Sequence, residues 1–233
     1  MAIVYLIPAP LDEESLQSIP AYVLDAVKQC TVFFVENERT ARRFLKKLDK
    51  AIVIDDHEWF TIHKAEAQVK GQFIQKLMQN KTVGIISEAG CPGIADPGQV
   101  LIEAAHKQGA TVKPLVGPSS ILLALMGSGM NGQQFAFVGY LPIEEPQRRR
   151  KLNQLEDLSA KFESTQIFIE TPYRNNQLLE TILKTCNPKT RICIAANLTA
   201  PNEFIETKTV AEWKIKKPDL HKQPVIFCLM GGV

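Results

Sequence analysis

The chain lacks any apolar run near the ~20 residues that a membrane-spanning helix needs. Its longest such runs, residues 121–126 and 225–230, fall far short of that, and a membrane association through helical spans is not expected. It also lacks paired cysteines. The five at positions 30, 91, 186, 193 and 228 are odd in number and contain no C-x-x-C, which argues against a disulfide framework or a zinc site and for the reducing cytoplasm. The four histidines, at 57, 63, 106 and 221, form no H-E-x-x-H and no close ligand pair, so no metal is expected. No G-x-G-x-x-G follows an expected strand and no G-K-[ST] exists, which removes the usual signatures of nicotinamide and ATP chemistry. The apolar residues 1–7 carry no basic leader or cleavage site and are broken at once by Pro8 and Pro10, so they read as a buried first strand. Charge of one sign is missing too: 27 Lys and Arg against 25 Asp and Glu leave a net charge of +2.

What is present is an ordinary globular composition, 45% hydrophobic and 22% charged over 233 residues, enough for one large α/β domain or two smaller ones. Short β-branched and aromatic runs alternate with longer amphipathic stretches. The pattern predicts strands at 3–7, 31–35, 51–54, 82–87 and 111–115, with helices at 14–29, 40–48, 65–79 and 99–108 between them. Strands separated by helices favour a mostly parallel sheet over residues 1–115. After Val116 the signal changes, as Gly117-Pro-Ser-Ser120 opens an apolar helix that stops at the glycine-rich residues 127–132. Residues 116–233 then read as a second α/β domain, with strands at 135–140, 166–170, 192–196, 204–209 and 225–230 and helices at 147–158 and 175–184.

Ligands of open α/β sheets collect beyond the carboxyl ends of strands, so the loops there carry the interest. The segment Ser87-Glu-Ala-Gly-Cys-Pro-Gly-Ile-Ala-Asp-Pro-Gly98 places three glycines and two prolines after a strand and contains no Lys or Arg. Glycine allows close approach and positive φ while proline stiffens, a combination beyond the needs of a connector. As a plain turn, its Asp96 would only cap the next helix. The hydroxyls of Gly117-Pro-Ser-Ser120 suit either helix caps or a ligand, and Glu170-Thr-Pro-Tyr-Arg174 suits either a surface turn or a site. Two basic clusters stand out: Arg39, Arg42, Arg43, Lys46, Lys47 and Lys50, and the run Arg148, Arg149, Arg150, Lys151. Each reads as a solvated helix face or as a phosphate-contacting surface.

At these segments, and over nearly its whole length, the chain resembles the tetrapyrrole methylase superfamily, and within it the ribosomal RNA small subunit methyltransferase I branch. SEAGCPGIADPG corresponds to the branch's S-D-A-G-T-P-L-I-S-D-P-G, GPSS to G-P-S-A, Gly139-Tyr-Leu-Pro142 to G-F-L-P and ETPYR to E-S-P-H-R, in the same order and spacing. The resemblance implies two α/β domains, the N-terminal sheet mostly parallel and the C-terminal one mixed, with S-adenosylmethionine in a cleft between them, and a homodimer. It implies as cofactor contacts Pro10, Ala89, Gly90, Cys91, Ile94, Ser119, Ser120, Glu170, Asn197 and Leu198. A positive sulfonium suits backbone carbonyls, hydroxyls and a carboxylate better than lysines. Methyl transfer then rests on in-line positioning, and no metal is required.

The acceptor side departs from the branch. Pro8-Ala-Pro-Leu-Asp-Glu13 replaces T-P-I-G-N-L, Val35-Glu-Asn-Glu-Arg-Thr-Ala41 replaces A-E-D-T-R-H-T, Ala196-Asn-Leu-Thr-Ala200 replaces R-E-L-T-K, and Tyr173 stands for a histidine. Glu36, His57 and Glu58 remain as candidate catalytic groups, His57 also suiting a buried structural role. The expected activity is methylation of ribosomal RNA at a ribose 2'-hydroxyl, with RNA as partner. Methylation of a tetrapyrrole or other small molecule, and cofactor binding without turnover, stay open beside it.

Overall fold

The computed structural model describes residues 1–62, 66–95 and 97–232, and contact density divides the chain into two units, Met1–Ser119 and Ser120–Val233. In the first unit, β1 (Ile3–Ile7), α1 (Val23–Gln29), β2 (Val32–Val35), α2 (Glu38–Leu48), β3 (Glu58–Thr61), α3 (Glu66–Met78), β4 (Thr82–Ile86), α4 (Gln99–Lys107) and β5 (Thr111–Pro114) follow one another. The strands lie in the order β3-β2-β4-β1-β5, and every neighbouring pair is parallel. A parallel sheet covered on both faces needs strands that are apolar throughout, and β2, Val-Phe-Phe-Val, is fully buried. Tyr5, Ile7, Phe33, Val35 and Ile86 pack one face against Val23 and Val27 of α1 and Ala41, Phe44 and Leu45 of α2. Val4, Val32, Phe34, Val83 and Ile85 pack the other against Phe73 and Leu77 of α3 and Leu101 and Ala104 of α4.

Two expectations need correction here. The strand expected at 51–54 is a turn running into a single 3-10 turn, Ile54–Asp56, because the Asp49 carboxylate accepts the Ala51 N–H at 2.9 Å and bends the chain. The edge strand is β3 instead, whose Trp59 and Phe60 alternate sides and stack on Phe33 and Phe34 at ring separations of 4.9 and 4.8 Å. The helix expected over 14–29 is broken by Pro20, which has no N–H to donate, leaving a 3-10 turn at Leu16–Ser18 and α1.

The second unit comprises α5 (Ser120–Ser128), β6 (Phe135–Tyr140), α6 (Glu145–Phe162), β7 (Thr165–Ile169), α7 (Asn175–Thr185), β8 (Arg191–Ala196), β9 (Phe204–Thr209), α8 (Val210–Ile215) and β10 (Val225–Met230). Its sheet order is β6-β7-β10-β8-β9. Only β6 and β7 pair in parallel; β10 runs antiparallel to both β7 and β8, and β9 to β8, so the sheet is mixed as expected. Leu152, Leu155, Leu178, Leu179, Ile182, Val210 and Trp213 of α6, α7 and α8 cover Phe168, Ile192, Ile194, Phe227 and Leu229. Among the described residues no helix is long and apolar enough to cross a membrane.

Candidate functional site

Because all five strands of the first unit run the same way, the loops after β1, β2, β4 and β5 leave from one edge of the sheet. The chain passes from β2 outward to β3 but from β4 across to β5, so connections diverge between β2 and β4, where open α/β sheets hold ligands. Glu36 stands there. Its backbone N–H donates to the Ile86 carbonyl at 3.1 Å, and its carboxylate Oε2 accepts the Glu88 N–H at 3.0 Å.

Three loops are tied together beside it. Ala9 and Gly90 exchange backbone hydrogen bonds of 2.9 and 3.0 Å. The Ser87 hydroxyl donates toward the carbonyls of Ala89 at 3.2 Å and Gly90 at 3.5 Å, and the Cys91 thiol donates to the Pro118 carbonyl at 3.5 Å. Gly90 takes φ +74°, open to glycine without strain. A Cβ on Gly117 would lie 2.1 Å from Pro8 Cβ, so only glycine lets these two loops touch. Pro10, Ala89, Gly90, Cys91 and Ser119 are thus gathered at one edge of the unit, with Ile94 exposed on the same loop. Asp96, expected as a cap in the plain-turn reading, lies outside the described residues.

In the second unit β7 and β8 share a direction, and Glu170 and Asn197 follow their carboxyl ends. Glu170 is buried; its Oε1 accepts the Thr171 N–H at 2.6 Å and Arg174 Nη2 at 2.7 Å. Asn197 has φ +51°, and its side-chain amide donates to Gln223 Oε1 at 2.8 Å. Leu198 is buried beside it and Ser120 begins α5. Gln223 was not foreseen: its main-chain carbonyl also accepts Asn175 Nδ2 at 2.7 Å, making it the hub of this edge. A lone glutamine before Pro224 belongs to no motif, and only the register of β10 against β8 reveals it.

His57 and Glu58 are not brought together with Glu36. Glu58 pairs with Val32, the first residue of β2, whereas Glu36 follows the last, so the two lie at opposite edges of the sheet. The His57 ring rests 5.2 Å from that of Phe33 with Nδ1 against the Val53 carbonyl at 2.9 Å, and Glu58 is paired with Lys76 at 2.5 Å.

The basic clusters resolve into individual roles. On α2, Arg42 pairs with Glu38 and lies over the Trp59 ring, Arg43 pairs with Glu13 at 3.1 Å, and Lys47 with Glu14 at 2.9 Å. Arg148 is buried, donating to Thr181 Oγ1 at 3.2 Å and the Ile143 carbonyl at 2.7 Å, so it holds α6 to α7 and offers nothing to a phosphate. The run presents Arg149, itself paired with Glu145 at 2.7 Å, then Arg150 and Lys151. Burial pushes the Cys30 thiol up to about 12, and burial followed by the Glu156 charge does the same to Cys186. Among the described residues no three His, Cys, Asp or Glu are grouped to hold a metal.

A profile of the family described as Tetrapyrrole (Corrin/Porphyrin) Methylases matches residues 4–214. The chain is 30% identical over 234 residues to the protein named "Ribosomal RNA small subunit methyltransferase I" of Vibrio cholerae serotype O1, covering 99% of this chain and 77% of that one. It is also 30% identical over 209 residues to the protein of the same name from Halalkalibacterium halodurans, with 89% and 68% covered. Among solved structures it is similar to the methyltransferase CobJ, with a TM-score of 0.68 at 15% identity over 100% of this chain and 95% of that one. The uroporphyrin-III-C-methyltransferase from Thermus thermophilus gives 0.57 at 15% identity over 98% and 92%.

Proposed function

This chain belongs to the tetrapyrrole (corrin/porphyrin) methylase family and is an S-adenosylmethionine-dependent methyltransferase, and from that premise we propose that it methylates a ribose 2'-hydroxyl of small-subunit ribosomal RNA in the cytoplasm, as a homodimer. The observation that carries the choice of acceptor is the 30% identity over essentially the whole chain to a protein named for that substrate. The likeness to the methyltransferase CobJ and to the uroporphyrin-III-C-methyltransferase, at 15% identity, is one of fold.

In this reading the donor contacts are Pro10, Ala89, Gly90, Cys91, Ile94, Ser119, Ser120, Glu170, Asn197 and Leu198. The residues suit it. The loop over 87–98 is free of lysine and arginine, and the carbonyls gathered around the Ser87 hydroxyl supply the partial negative charge that a sulfonium requires. When bound, the donor supplies an electrophilic methyl carbon. The chain's own contribution is to orient the attacking hydroxyl. Glu36, with Oε2 held by the Glu88 N–H, is the group that takes or aligns the hydroxyl proton. His57 and Glu58 instead secure β3 at the far edge of the sheet.

Nucleoside analysis of small-subunit ribosomal RNA from cells with and without the gene tests the proposal. One 2'-O-methylated nucleoside should vanish on deletion and return with the plasmid-borne gene. An unchanged nucleoside profile would overturn it.

A further inference from the structure

At the divergence of β2 and β4 lies a small open recess of about 90 Å³. Its floor is apolar, made by Ala9, Leu11, Ala41, Phe44 and Ile86. Thr40 and Ser87 contribute hydroxyls, Glu88 borders it beside Glu36, and Arg43 and Lys47 stand one helical turn apart on the α2 rim. Both cations are already engaged. Arg43 Nη1 donates to both carboxylate oxygens of Glu13 at 3.1 and 3.2 Å, and Lys47 Nζ reaches the Glu13 carbonyl and Glu14 Oε1, each at 2.9 Å. The loop is aimed by Asp12, whose Oδ1 accepts the Glu14 N–H at 3.0 Å. Glu13, Glu14 and Arg43 are all exposed, so water screens these pairs and they open readily.

The Glu13 carboxylate, hydrogen-bonded by Arg43 and 3.8 Å from Lys47 Nζ at the mouth of an apolar recess, stands where an anionic group of a ligand would stand. We propose that this recess is the acceptor-nucleotide subsite, with Arg43 and Lys47 taking one phosphate, the apolar floor taking the base, and Glu13 and Glu14 acting as an internal latch that the phosphate displaces. This rests on the reading of RNA as the acceptor. Two cations on a single helix face define one anionic position, and Glu88, which also lines the recess, disfavours a second. A nucleoside phosphate meets that pattern; a macrocycle with carboxylates around its whole rim does not. The phosphodiester of RNA carries one negative charge, as a carboxylate does, so it can exchange for Glu13 on the same donors, and a terminal monophosphate, with up to two, does so more strongly.

Calorimetry on the full chain at low salt, with nucleoside 5'-monophosphates, the matching nucleosides and inorganic phosphate, tests the assignment beside anisotropy with a short single-stranded RNA. The monophosphates should bind at least about tenfold more tightly than the nucleosides, the scale of one charge-assisted contact. Arg43→Ala should remove that advantage, and Glu13→Gln combined with Glu14→Gln should tighten the monophosphates several-fold without lowering the melting temperature. Inorganic phosphate binding as tightly as a monophosphate would overturn the nucleotide assignment, since the floor would then contribute nothing. Unchanged or weaker monophosphate binding in the double variant would overturn the latch. RNA bound equally by wild type and Arg43→Ala would sink the subsite while leaving RNA as the acceptor. A wild-type protein that binds S-adenosylhomocysteine but neither RNA nor monophosphates would sink both readings.

Discussion

Gly117 and Glu36 show how differently single residues declare themselves. The absence of a side chain at 117 matters because Pro8, from the loop after β1, fills the space a Cβ would take. Gly117→Ala should therefore cost about 1–3 kcal/mol, as overpacking does, measurable as a lowered thermal unfolding midpoint. The motif around Gly117 was legible in the sequence as a ligand or cap element, but its reason, a contact between distant segments, was not. Glu36 was singled out from a motif, and the structure adds that one of its oxygens is held. Glu36→Gln should lower kcat by about 10²- to 10⁴-fold while leaving the donor's Kd unchanged; a loss confined to donor binding would remove its acid-base role. Arg148 was hidden by its neighbours, since a run of four cations reads as surface. The spacing to Leu152 and Leu155, positions i+4 and i+7, already placed it on the buried face of α6.

Elements were legible wherever apolar period and length agreed, and less so where one polar side chain redirects the backbone. Asp49 turning the chain at Ala51 converted an expected strand into a bend and moved the edge strand on to Trp59 and Phe60. That move also decided where His57 and Glu58 lie. The six-residue α8 went unexpected because it is shorter than a periodic pattern can reveal. Its one signal is the capping box, Thr209-Val-Ala-Glu212, in which Thr209 Oγ1 accepts the Glu212 N–H and Glu212 accepts the Thr209 N–H. The Thr209 hydroxyl, then its N–H, hold the Glu212 carboxyl below its ordinary value of 4.5. A carboxyl depressed on folding contributes stability that is complete above its unfolded value and lost as pH falls through the folded one. Unfolding followed from pH 7 to pH 3 should show an acid-sensitive component that Glu212→Gln abolishes; an identical pH profile in the variant would mean the box does not support α8.

At the scale of the whole molecule, both sheets were readable as α/β arrangements, whereas strand order was not, because order depends on which crossovers the helices permit. The thiols give a global probe. Cys30, Cys186, Cys193 and Cys228 are buried, and the hydrogen bond between Cys193 and Cys228, then burial, push Cys228 up; Cys91 is partly exposed. Maleimide labelling of the native protein near neutral pH should modify Cys91 first and the other four only on unfolding, and S-adenosylhomocysteine should slow the first event. Labelling of Cys91 at the same rate with and without that compound would count against its place among the donor contacts.

The strand order also bears on biogenesis. β1 emerges well before its partners β4 and β5, which begin at Thr82 and Thr111. An apolar strand must therefore wait, unpaired, until most of the first unit has been translated. Such distant pairing makes assembly slow relative to helical neighbours of similar size, and it makes truncation before Thr82 a route to aggregation rather than to a smaller folded domain.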